Sequence, residues 1–145
     1  MTPPPFQQQV TFLYCPDLDA ADGFYHGLLG LPVVLDQGAC RIYRVGEHPG
    51  ANGFLGFCRS TANLAAVEAA GVILTLAVDG PDDVDAWHAH LLAKGAGGAV
   101  EKPPTHNQAF NIYHLFLRDP ATYLVEIQAF LDPAWPRVDR RWSEP

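Results

Sequence analysis

Read as a succession of apolar and polar positions, the chain passes twice through the same order of elements. Residues 9–15 (QVTFLYC) are rich in β-branched and aromatic side chains, the composition of a strand. Pro16-Asp17 then opens a helix. Asp17 is placed to cap it, Asp19 and Asp22 stand where the helix dipole favours negative charge, and Leu18, Ala21, Tyr25 and Leu28 recur at helical spacing. Gly30 is a natural stop, and His26 falls off the apolar stripe and is expected to face solvent. Strands follow at 32–36, 40–45 and 54–58, separated by segments rich in Gly, Pro and Asn.

The pattern then begins again. A linker at 60–71 has helical potential in ANLAAVEAA, and 72–78 (VILTLAV) reads as a strand. Gly80-Pro81-Asp82-Asp83 starts a helix running to about Lys94, with Val84, Trp87 and Leu91 as its buried stripe and Gly95 at its end. Three more strands are expected near 98–102, 111–117 and 123–129. The chain therefore reads as one domain over 1–145. Its first module spans about 9–59 and its second about 72–130, with a tail at 131–145. The repeat lies in the order of elements and in the helix caps, hardly in residue identity.

The second module ends on the most informative stretch, 110–130 (FNIYHLFLRDPATYLVEIQAF). Two strand-like runs flank the break Asp119-Pro120-Ala121-Thr122, so the stretch predicts a β-hairpin. Side chains alternate along a strand, which sets Leu124, Glu126 and Gln128 on one face and Val125 and Ile127 on the other. A carboxylate beside Leu124 is expensive to bury unless it is paired, bound or protonated; the alternative is a solvated edge strand. His114 joins the face of Glu126 if position 114 lies opposite 126. A slip of one residue puts Leu115 there instead and brings Tyr113 to that face.

Composition narrows the function. A hydrophobic fraction of 48% with 17% charged residues describes a globular chain, and its 145 residues suffice for a real core. The net charge of -7 offers no basic footprint for nucleic acid. No apolar run approaches the roughly 20 residues that cross a bilayer, and MTPPPFQQQ lacks the features of a signal peptide. Cys15, Cys40 and Cys58 are odd in number and widely spaced, which predicts reduced, buried packing thiols of a cytoplasmic protein.

The doubled β-α-β-β-β order, with DLDAADGFYHGLLGL in the first module and DPATYLVEI at the end of the second, resembles the vicinal oxygen chelate superfamily. That group contains glyoxalase I, fosfomycin and bleomycin resistance proteins and extradiol dioxygenases. In its usual final hairpin, Asp-Gly more often stands where this chain has Ala121-Thr122. The resemblance covers about 9–132. It implies an α+β fold in which two β-α-β-β-β modules form a curved, half-barrel mixed sheet around a cavity. Metal-dependent members place ligands on the first and last strands of each module. Carried over, those positions fall at Val10, Gly56, Ile73 and Glu126, so only the last can coordinate through its side chain; a shift of one residue would substitute Gln9 for Val10. The resemblance therefore implies a protein that binds or transforms a small organic molecule without the usual metal site.

On this reading Glu126 and His114 are the candidate catalytic pair, and Arg41, Tyr43, His106 and Tyr113 are candidate ligand-binding residues. No cofactor is expected. The alternative is a lyase or dioxygenase holding a divalent metal with Glu126, His106 and His114; a further one is a non-catalytic protein that sequesters a drug or toxin. His88 and His90 stand two apart on a helix and diverge too far to share a metal, while His48 sits in a loop. The expected partners are a small-molecule ligand and a second copy of the chain. Trp135 and Trp142 in the tail are expected to pack on that second subunit or on their own.

Overall fold

The computed structural model describes residues 3–6, 8–47, 53–60 and 71–136. His48, Trp142 and the linker segment 61–70 lie outside them. The chain divides into two compact units, one within residues 1–62 and the other within 63–137.

In the first unit, β1 (Gln9–Cys15) leads into α1 (Leu18–Asp22), capped by Asp17, whose Oδ1 accepts from the backbone N–H groups of Asp19 and Ala20. The helix continues as a wider π-type turn, Gly23–Leu28, closed by an i→i+5 bond from Leu29 N–H to Phe24 C=O. That turn displaces the apolar stripe by one residue, so Leu29 is buried and Leu28 only half-buried. Gly30 then takes φ 74°, a left-handed conformation that glycine adopts without penalty. The strands β2 (Val33–Asp36), β3 (Cys40–Val45) and β4 (Gly53–Arg59) complete a mixed sheet ordered β1-β4-β3-β2, with β1 and β4 parallel and the other pairs antiparallel. One face of it buries Cys15, Tyr43, Leu55 and Phe57, and the Tyr25 ring stacks on Phe57 at 4.4 Å.

The second unit repeats the order with β5 (Ile73–Val78), α2 (Pro81–Ala93), a single 3-10 turn, β6 (Val100–Asn107), β7 (Ile112–Arg118) and β8 (Leu124–Phe130). Its sheet runs β5-β8-β7-β6, again with one parallel pair. Val84 and Leu91 of α2 are buried on the side where Leu74, Leu115, Leu117, Val125 and Ile127 form the core. Each such side chain contributes roughly 1.5–3 kcal/mol by leaving water. The expected α+β architecture is the one found: two open, four-stranded mixed sheets, each with its helix. Among the described residues no helix is long and apolar enough to cross a membrane.

Two expectations are corrected. The strand expected at 98–102 lies at Val100–Asn107, because β6 is a sheet edge and its register shifts accommodate Pro103 and Pro104. The cysteines are not all reduced: Cys40 and Cys58 face each other across β3 and β4 and form a disulfide, and Cys15 is a buried thiol outside it. Sequence spacing conceals this pairing, since only the antiparallel register brings their Cα atoms to 4.1 Å. Intact-mass analysis after alkylation under denaturing conditions should show one adduct without reductant and three with it.

The hairpin turn is built on Asp119, which is buried and whose Oδ1 accepts from the N–H groups of Ala121 and Tyr123. Thr122 sits in it at φ 70°, where a β-branched residue is strained. Thr122→Gly should therefore raise stability, by up to about 1 kcal/mol, as read from denaturant unfolding.

Candidate functional site

The register of β7 on β8 decides what surrounds Glu126. Phe116 stands opposite it and His114 stands opposite Gln128, so His114 is its diagonal neighbour on the same face. Here the carboxylate collects its partners. His114 Nδ1 lies 2.5 Å from Oε2, and the Thr75 hydroxyl, on the adjacent strand β5, donates to Oε1 at 2.7 Å. With its amide turned to donate, Gln128 places its nitrogen 2.7 Å from each carboxylate oxygen. His114, Glu126 and Gln128 are only 3%, 6% and 5% exposed.

The cluster thus holds one buried acid whose oxygens are both occupied. Among the described residues no lysine or arginine pairs with it, and its one titratable partner is His114, which carries a charge only when protonated. The imidazole is fixed on one side by the carboxylate and touched edge-on by Phe116 at 4.8 Å. Its other nitrogen, Nε2, is buried and has no hydrogen-bond partner among the described residues. A neutral ring that donates from Nδ1 to a carboxylate presents a lone pair at Nε2. The arrangement can accept a proton or a hydrogen bond there.

The first unit carries different chemistry at the corresponding places. Gly56 stands where the second unit has Glu126, Phe12 where it has Thr75, and Cys40 and Cys58 where it has His114 and Gln128. The Phe12 ring lies on Gly56 so closely that a Cβ there would meet ring atoms at 2.5 Å. A carboxylate ligand at 56 would have to displace that ring.

The other candidates have surroundings of their own. Arg41 and Tyr43 belong to the first unit, where Tyr43 is buried among the helix-side aromatics. Its hydroxyl donates to Asp22 at 2.8 Å, and burial together with that bond pushes the phenol well above its usual range. The Arg41 guanidinium lies 3.4–3.8 Å from Asp36, Asp19 and Asp22. Burial works to lower it, but Asp36, then Asp22, Tyr43 and Asp19, outweigh that and raise it. Tyr113 lies on the face of its sheet opposite Glu126 and donates to Asp85 of α2 at 2.6 Å, which raises its phenol. His106, expected in a loop, is on β6 opposite Tyr113 and is exposed. The set Glu126, His106 and His114 is therefore not assembled, and Val10, Gly56 and Ile73 bring no donor side chain. Three of the four family positions thus offer a divalent ion no donor, and among the described residues no group of three or more His, Cys, Asp or Glu is placed to hold one.

Thr75 and Gln128 were not among the expected site residues. Strand alternation already set Gln128 beside Glu126; Thr75 could be found only by pairing strands that are 51 positions apart. Trp135 stacks on Phe130 of its own unit at 3.6 Å.

The fold is one shared with known proteins. A model of the glyoxalase/bleomycin resistance protein/dioxygenase superfamily matches residues 7–127, and the chain belongs to that family. Solved structures of similar fold include a glyoxalase/bleomycin resistance protein/dioxygenase from Nocardioides, with TM-score 0.66 and 17% identity over 96% of this chain and 92% of that one. A lactoylglutathione lyase from Agrobacterium tumefaciens matches with TM-score 0.64 and 25% identity over 88% and 96%. A glyoxalase-related enzyme from Fulvimarina pelagi matches with 0.67 and 22% over 92% and 94%. No curated protein matches the chain.

Gly56→Ala should destabilise the protein by about 1–3 kcal/mol, the usual cost of overpacking. Because Phe12 is 53% exposed and can be removed cheaply, Phe12→Ala should abolish most of that loss. A double-mutant cycle in denaturant unfolding checks the pair.

Proposed function

We propose that this protein binds a small organic molecule and transforms it by proton transfer at His114, with Glu126 as the positioning residue. One observation carries the reading: His114 is held through Nδ1 by a buried carboxylate while Nε2 has no partner among the described residues. Glu126 itself is a poor base here, since its lone pairs already face Thr75, His114 and Gln128. The pair works as the carboxylate–imidazole half of a general-base arrangement: Glu126 holds the tautomer, and the imidazolium formed on proton uptake gains an adjacent negative charge. The proton moves from ligand to Nε2 and its electron pair stays on the ligand. The likeness to a lactoylglutathione lyase makes a lyase reaction begun by proton removal the first to try.

Selective 15N-histidine labelling tests the reading. In the free wild-type protein near neutral pH, His114 should show a pyrrole-type Nδ1 and a pyridine-type Nε2. A proton resident on Nε2 overturns it. Incubated with a mixed pool of small organic compounds, the wild type should convert at least one that His114→Gln leaves unchanged. Retention without conversion would make the protein a sequestering binder.

Glu126→Gln keeps the volume, and on isosteric grounds alone the packing would survive. Three donors converge on the carboxylate, however, and an amide offers them one acceptor and a competing N–H₂. The substitution should therefore cost about 1–3 kcal/mol in unfolding free energy and scramble the His114 tautomer.

A further inference from the structure

We infer that the ligand reaching His114 is a hydrogen-bond donor without negative charge, an alcohol or amine N–H carried on an apolar body; this rests on the role proposed for His114. The atoms that no described residue satisfies define what a ligand must bring. In this cluster one such buried atom remains, the Nε2 of a side chain only 4% exposed. It is an acceptor, because Nδ1 spends the proton of the neutral ring on Glu126 and no described residue stands by to accept a second proton from Nε2. An acceptor shut away from water without a partner is unfavourable, and a donor from the ligand removes that penalty.

Charge points the same way. Thr75 and Gln128 are neutral donors, so the cluster keeps the negative charge of Glu126 without a lysine or arginine to offset it. The nearest arginine on these strands, Arg118, is held by Glu101 at 3.2 Å and by the Thr122 carbonyl at 3.0 Å. An anionic ligand placed on Nε2 would meet a lone pair and a buried carboxylate behind it, with a low surrounding dielectric to magnify the repulsion.

The apolar body follows from the rows beside the cluster. Along β7 and β8 the His114–Gln128 row lies between Phe116 on one side and the Ile112–Phe130 row on the other. Trp135 lies flat on Phe130, with interplanar angle 12°. Flat aromatic surface on the same face as one acceptor suits a ligand with a ring or chain and one donor, and it gives a cationic amine a π-face as well.

Three probes of one shape separate the possibilities: benzyl alcohol, benzylamine and benzoate, titrated into 15N-histidine-labelled wild-type protein. The two donors should shift the His114 Nε2 resonance and bind at least about tenfold more tightly than benzoate, the factor that roughly one net hydrogen bond supplies. Benzoate binding as tightly with a shift at Nε2, or no shift from any of the three, overturns the inference. The spectrum before titration reports the tautomer, so a failure of the proposed base is read separately: a pyridine-type Nε2 that prefers benzoate sinks the ligand class alone.

Discussion

The constraint on which the second unit turns is a single negative charge taken out of water. A carboxylate as buried as Glu126 persists only if donors replace its hydration, and here they come from three strands: Thr75 on β5, His114 on β7 and Gln128 beside it on β8. The group therefore does two jobs. It ties the parallel strand β5 to the terminal hairpin through side chains as well as backbone, and it holds the imidazole of His114 through Nδ1. The acid's oxygens are spent on these donors, and the Nε2 of His114 is left without a hydrogen-bond partner among the described residues.

The two units show how one arrangement of strands serves opposite ends. Both have the same strand order and the same single parallel pair. At matching places the second carries a polar cluster and the first carries a disulfide, a glycine and an aromatic ring. Polar chemistry in the first unit has moved to the helix side, where Arg41 and Tyr43 are bound to Asp19, Asp22 and Asp36. There the charges join strands to α1, and among the described residues of this unit the Arg41 Nε is the one buried side-chain nitrogen or oxygen without a hydrogen bond, facing Asp36 at 3.4 Å. Family membership thus sets the scaffold, while the choice of chemistry lies in a handful of positions on it.

Much of the fold was legible from local rules. Asp17 and Gly30 bracket the first helix by their capping chemistry, and alternation along 123–129 assigns faces correctly, because these depend on neighbours three or four residues away at most. The doubled order of elements and its likeness to a known family followed from the same signals. The hairpin itself was announced by Asp119-Pro120, although its register was not.

What lay beyond the sequence was everything carried by strand pairing. A shift of one residue exchanges the faces of a strand, so only the tertiary register could choose His114 over Tyr113 as the companion of Glu126. The same dependence hid Thr75, joined the cysteines at 40 and 58, and turned His106 to the far face through the bulged edge of β6. Residue type named the buried acid; the partners that surround it are set by contacts between distant strands, which no local pattern encodes.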